Sequence, residues 1–269
     1  MLFGYFRARS PRGPDPPDVT VEPLARVIAA SDEALEATSM HMDFEFVIDA
    51  AGERIEGSGE ADAAYDGEIR QHMTFRYDSF PGMPDGLELE IIVDGVMMYM
   101  RMHDAPASAS PTEWISADMS ETVPGFEDLV ALGAGKNDPS NAFGYLQGAE
   151  QAEEVGAETV NGVETTHFRV TVDLADALDD VPEALRSEMR LAIQQFDAQF
   201  GTTTMPFDAW VDDDGLLRRM LYRIEGDTEG GGAFSMEMTI DISGYGDDFE
   251  LDIPAAEDVT DVKELAAAR

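Results

Sequence analysis

The chain has 269 residues, enough for one large domain or two small ones with a sizeable core, and its 56 acidic and 17 basic side chains give a net charge of −39. So acidic a chain is repelled by nucleic acid and by anionic membrane surfaces. A 43% hydrophobic content with 14 Phe, 7 Tyr and 2 Trp rules out a disordered acidic tail, and the absence of cysteine rules out disulfides, thiolate metal sites and cysteine nucleophiles.

No apolar run approaches the length of a transmembrane helix. The N-terminal stretch MLFGYFRARSPR has three Arg but no following apolar core, and runs into the Pro-rich GPDPPD. This reading frame is therefore expected to carry no secretory signal; an export segment upstream and a cytoplasmic location both stay open. Residues 1–22 read as a linker or disordered N-terminus, 23–262 as one domain and 263–269 as a frayed tail.

The domain opens with a helix, marked by Leu24, Val27, Ile28 and Leu35 at helical spacing. The period then changes to two. Met42, Phe44, Phe46 and Ile48 alternate with polar neighbours and predict a strand with one wet face. Next comes a strand from Ile55 to Tyr65 whose same-parity residues include Gly57, Gly59, Ala61 and Ala63, small side chains that leave space or admit another backbone. Met73, Phe75 and Tyr77 continue the alternation, and Leu89, Ile91 and Val93 pair through the Asp94-Gly95 turn with Met98, Met100 and Met102. Residues 103–113 read as loop and 124–146 as helical and loop segments. A hairpin across Asn161-Gly162 follows, with Phe168, Val170, Val172 and Leu174 on one face. The apolar residues between 183 and 200 (Leu185, Met189, Leu191, Ile193, Phe196, Phe200) mark an amphipathic helix. Strands are then expected over about 205–211, 216–225 and 233–243, with a short edge strand at Leu251–Ile253.

This grammar of hairpins, without βαβ alternation, predicts an α+β, mainly antiparallel β fold: an open half-barrel of about 9–11 strands curved around covering helices. Met42, Met73, Met98, Met100, Met220, Met236 and Met238 fall on apolar strand faces. Such methionines are ordinary core residues or, beside the small residues of 57–63, the flexible wall of a cavity. The 183–200 helix reads as a core helix or a lid, and Phe80, Met83 and Pro84 as a mouth element or as side chains tucked under the sheet. Trp114 and Trp210 read as structural anchors.

Little here resembles catalytic or metal chemistry. His41, His72, His103 and His167 share parity with polar positions and are expected to face solvent, with no metal-site spacing. Asp212-Asp213-Asp214-Gly215 fails the calcium-loop register and reads as a turn, and Gly133-Ala134-Gly135-Lys136 lacks the first Gly and the Ser/Thr of a phosphate loop. Arg218, Arg219 and Arg223 read either as partners of Glu237 and Asp241 or as headgroup contacts at a pocket rim. No catalytic residue, cofactor or metal is assigned.

Several of these segments, in order, resemble the LolA-like lipoprotein-carrier superfamily, in particular the actinobacterial LppX/LprG-type lipoproteins. They are Gly57-Ser58-Gly59, Val93-Asp94-Gly95 with Tyr99-Met100-Arg101, Trp114-Ile115, the stretch from Glu154 to Phe168, Met205 to Asp212 with Asp214 to Arg219, Gly244-Tyr245-Gly246 and Ile253-Pro254-Ala255. The resemblance spans roughly 57–255. It implies a half-barrel whose helical cover closes an apolar cavity holding acyl chains, and export with lipid anchoring through an N-terminal Cys that this sequence lacks.

On this reading the cavity is lined by Met42, Phe44, Phe46, Ile48, Met73, Phe75, Leu89, Ile91, Met98, Met100, Phe168, Val170, Met189, Ile193, Phe196, Met220, Tyr222, Met236 and Met238, with Arg218 and Arg219 at the rim. The expected function is non-enzymatic binding and transport of a lipid, glycolipid or lipoprotein acyl moiety at the cell envelope. Its partners are a lipid or lipidated ligand, with membrane-surface contact or an envelope protein besides. The alternatives are a sensor or scaffold domain of the same fold that binds a protein partner, and a hydrolase.

Overall fold

The computed structural model describes residues 21–50, 52–65, 69–82, 85–103, 112–122, 143, 146–175, 201–227 and 232–267, and all of 190–198 except 192 and 195. Twelve strands form one sheet: β1 (Ser39–Ala50), β2 (Glu53–Tyr65), β3 (Ile69–Ser79), β4 (Leu87–Asp94), β5 (Met97–Met102), β6 (Trp114–Asp118), β7 (Ala149–Val160), β8 (Val163–Asp173), β9 (Thr204–Asp212), β10 (Leu217–Asp227), β11 (Ala233–Ser243) and β12 (Val259–Asp261). Their order is β12-β6-β5-β4-β3-β2-β1-β11-β10-β9-β8-β7, antiparallel except for the β12–β6 pair. The sheet is open, with β12 and β7 at its two edges. It is thus two meanders, β1–β6 and β7–β11, joined where β1 pairs with β11.

Alternation decides the faces. One transverse rank runs Met102, Leu89, Phe75, Gly59, Phe44, Ile240, Met220, Ala209, Phe168 across eight ladders. The ranks beside it are equally apolar, so one face is a continuous hydrophobic surface. The other face carries the ion pairs.

Helix α1 (Val21–Glu36) covers the apolar face over β7–β10. Its buried stripe is Val27, Ala30, Ser31 and Ala34, small enough to bring the helix close to the sheet. Leu35, expected on that stripe, is 50% exposed. Ser31 satisfies its buried hydroxyl by donating to the Phe143 carbonyl at 2.7 Å. Phe143 and Leu146, the latter in the 3-10 turn Leu146–Gly148, are fully buried.

Asn161 and Gly162 form the hairpin turn that their sequence requires, with φ of 48° and 84°, the left-handed pair a type I′ turn needs. The turn expected at Asp94-Gly95 is shifted by one residue: Asp94 still pairs with Met97 in the β4–β5 ladder, and the two loop residues are Gly95, at φ 58°, and Val96, glycine first as in a type II′ turn. Other expectations are corrected. Leu251–Ile253 is not a strand; the edge strand is β12, which pairs with β6, a strand of five residues too short to announce itself by period. Helix α2 is the single turn Met119–Thr122, and helix α3 spans Val262–Ala267, where a frayed tail was expected. β7 starts at Ala149, and two register shifts interrupt its ladder with β8, between Ala149 and Gln151 and between Glu154 and Gly156.

One ladder ends early. β9 and β10 pair only as far as Tyr222↔Phe207, while β9 continues along β8 to Thr204 and β10 continues along β11 to Asp227. Pro206, which has no N–H to donate, sits where the next rungs would form. The two strands therefore part, leaving a seam in the sheet.

Candidate functional site

The register brings all of the strand-borne residues expected in the cavity onto the apolar face. Their burial divides them. Met42, Phe44, Phe46, Met73, Phe168, Val170 and Met220 are buried. Ile48, Phe75, Leu89, Ile91, Met98, Met100, Tyr222, Met236 and Met238 are only partly covered. Ile193 and Phe196, from the helical segment 190–198, pack against the core, whereas Leu191 points outward at 56% exposure. Met189 lies outside the described residues, as do Leu185, Phe200, Met83 and Pro84 and the segments 124–142 and 133–136. Phe80 meets Tyr77 edge-on at 5.4 Å, extending an aromatic chain that runs from Phe46 through Tyr77.

The glycines of β2 do not leave a void. A Cβ on Gly59 would lie 2.4 Å from Phe44 Cζ, and one on Gly57 2.7 Å from Phe46 Cζ. The rings from β1 lie across the glycine positions of the neighbouring strand and use the space that the sequence offered as cavity volume. Ile224, Ile240 and Phe207 belong to the apolar face as well. Strict parity in strands β9–β11 carries the signal for them.

The opposite face is a mosaic of ion pairs. Glu90 accepts from Arg101 and lies 2.9 Å from His72 Nε2 and 3.2 Å from His103 Nε2. Burial raises its pKa, but hydrogen bonds from Arg101 and the two histidines outweigh that and hold the carboxyl below its ordinary range. His41 Nδ1 lies 2.8 Å from Asp62 Oδ1; burial disfavours its charge, yet Asp62 and Asp43 together raise its pKa above 6.5. His167 corrects the expectation of solvent-facing histidines. It is 8% exposed, stacked on Trp210 at 4.2 Å, with Nδ1 3.0 Å from Glu158 and Nε2 2.7 Å from Asp208. Trp210 Nε1 donates to the same Glu158 at 2.9 Å, and Trp114 is buried beneath Arg101.

Arg218 donates to Asp212 at 2.6 Å, Arg219 to Asp241 at 2.5 and 2.6 Å, and Arg223 to Glu237 at 2.5 Å. Arg219 and Arg223 thus make cross-strand charge pairs with Asp241 and Glu237 of the neighbouring strand β11. Asp212 also caps its own turn by accepting from the N–H groups of Asp214 and Leu216, as a turn residue should. Among the described residues no group of three or more His, Asp or Glu side chains is placed to hold a metal ion.

Among the described residues, several concavities are open to solvent, and three of them bear on the two faces of the sheet. A polar groove of about 410 Å³ on the charged face lies over Gly59 between Glu60, Arg76, Arg219 and Asp241. A larger one, about 1030 Å³, wraps the free edge of β7 against the start of α1. The third, about 360 Å³, occupies the seam between β9 and β10.

No protein-family model matches the chain. It is 32% identical over 178 residues to an uncharacterised 31.2 kDa protein from the rplA-rplJ intergenic region of Streptomyces griseus, covering 62% of this chain and 54% of that one. It is 29% identical over 154 residues to a candidate lipoprotein of Streptomyces coelicolor, covering 54% and 43%. The chain spans about half the length of the curated relatives it matches. Solved structures share the fold. LprF from Mycobacterium bovis is 16% identical with a TM-score of 0.54, over 88% of this chain and 98% of that one. The Mycobacterium tuberculosis lipoprotein LppX is 16% identical with a TM-score of 0.50, over 86% and 99%. The fold is the open half-barrel that the LppX-type resemblance implies.

Proposed function

We propose that this chain is a non-enzymatic carrier that shields the acyl part of a lipid, glycolipid or lipoprotein against the apolar face of its sheet, at the cell envelope. The observation that carries this reading is the unequal cover of that face: methionines and aromatics lie sealed under α1 but only half-covered over β3–β5 and at the far ends of β10 and β11. A carrier needs such a surface, apolar and flexible enough to repack around different chains. Each buried methylene contributes about 0.8 kcal/mol, so about ten to twenty of them compete with a bilayer without a specific polar contact.

The kinship with a candidate lipoprotein and the shared fold of LppX support a place outside the cytoplasm. No helix among the described residues is long and apolar enough to cross a membrane. The test is organic extraction of the purified protein followed by mass spectrometry, together with displacement of a fluorescent fatty acid. Co-purifying lipid and saturable displacement are expected; the absence of both refutes the carrier.

A further inference from the structure

The seam between β9 and β10 joins the solvent to the apolar face at a point where a continuous sheet would block passage. Thr204, Met205 and Pro206 form one lip and Arg223, Ile224 and Glu225 the other. Its inner end is apolar: Met205 is 5% exposed, and Ile224 and Phe196 pack against the core. Ile224 stands in the same rank as Met236 and Ile48, so an alkyl chain passing the lips meets the half-covered part of the face directly. The outer end is polar, with the hydroxyls of Thr202 and Thr204 and the Glu225 carboxylate around the opening. Arg223 is paired there with Glu237 and lies 3.9 Å from Asp208, so its charge is matched. What remains at the mouth is an excess of hydrogen-bond acceptors and negative charge. That repels an anionic headgroup and suits an uncharged, hydroxyl-bearing one.

We propose that this seam is a lateral portal, through which the alkyl chain of an amphiphile with an uncharged hydroxylated headgroup reaches the apolar face while the headgroup stays at Thr202, Thr204 and Glu225. The proposal rests on the carrier reading and adds the route and the headgroup class. Separation of the two strands, already present at Pro206, then needs no rearrangement of the rest of the sheet.

Since the chain has no cysteine, paired cysteines report on the seam without background. Thr204→Cys and Glu225→Cys in one chain, bridged by a short thiol-reactive linker, tie the lips together. Thr159→Cys with Glu164→Cys, across the β7–β8 hairpin, is the control. Loading is followed by stopped flow with a pyrene-labelled monoacylglycerol, and with a pyrene-labelled fatty acid of equal length as the charged counterpart. Bridging the lips is expected to slow loading roughly tenfold or more, as closing a gate does. Cleaving the linker restores the rate, the bridged control loads like the parent, and the monoacylglycerol binds more tightly than the fatty acid at low salt. Thr204→Trp, which plugs the mouth without chemistry, is expected to slow loading in the same way. If the parent binds the probe but bridged and plugged forms load at its rate, the portal is refuted and the carrier stands. Tighter binding of the fatty acid refutes the headgroup class. If the parent binds neither probe, the carrier reading falls and the portal with it.

Discussion

The two arms of the sheet present the same chemistry to the apolar side and differ in what lies over it. Across β8–β10, Phe168, Val170, Phe207 and Met220 are at most 1% exposed beneath the small-residue stripe of α1. Across β3–β5, Phe75, Leu89, Ile91, Met98 and Met100 remain partly accessible. Residues of one kind thus serve as core in one arm and as accessible surface in the other. The difference teaches that side-chain type alone does not separate a core from a binding face; the cover does. α1 can seal its arm because Ala30, Ser31 and Ala34 allow close approach.

The comparison breaks most visibly under truncation. Phe168→Ala in the sealed arm is expected to cost about 3–5 kcal/mol of stability, read by chemical denaturation. Gly59→Ala, on β2 and one strand from the junction of the arms, forces its Cβ toward the Phe44 ring and to 2.3 Å from the Thr74 carbonyl oxygen. A loss of about 1–3 kcal/mol is expected from that overpacking. In the open arm the pattern inverts: Met98→Ser with Met100→Ser is expected to leave stability within about 1 kcal/mol but to weaken displacement of a fluorescent fatty acid roughly tenfold. If the double variant unfolds as readily as Phe168→Ala, the two arms are one core and the distinction fails.

The smallest effect lies on the charged face. His41 has its folded pKa raised above 6.5, so its contribution to stability is complete at acidic pH and is lost as pH climbs through the raised value. Asp62→Asn is therefore expected to flatten the decline in stability as pH rises above 6.5, measured as midpoints across a pH series. An unchanged slope removes His41 from the account. Glu90 has the opposite sign: its lowered pKa contributes stability that disappears as pH falls below the usual carboxylate range.

Much of this architecture is legible in the chain. Alternation gives the faces of β1, β3 and β8–β11, Asn161-Gly162 gives its turn, and Asp94-Gly95 gives the β4–β5 turn to within one residue, because these are local properties of the backbone. What escaped depends on distant partners. β6 and β12 are too short for a period and exist as strands through pairing with each other and, for β6, with β5. His167 has the parity of a wet position, yet Trp210 from β9 folds over it. The glycines of β2 signal missing volume but not who occupies it, since the rings come from β1. Pro206 did carry a readable sign of the seam: a proline inside a strand run marks a ladder that must be interrupted.

The junction between the arms has a consequence for how the protein forms. Within each meander, neighbouring strands are neighbours in sequence, but β1 must find β11, about two hundred residues further along the chain. Either meander can therefore collapse early, whereas the sheet as a whole waits for one slow, long-range encounter. Until β11 has been synthesised, the free edge of β1 presents Met42, Phe44 and Phe46 with their backbone groups unpaired, a segment prone to mispairing during biogenesis. The acids that alternate with them, Asp43 and Glu45, are the charges that a nascent edge of this kind needs to keep other chains away.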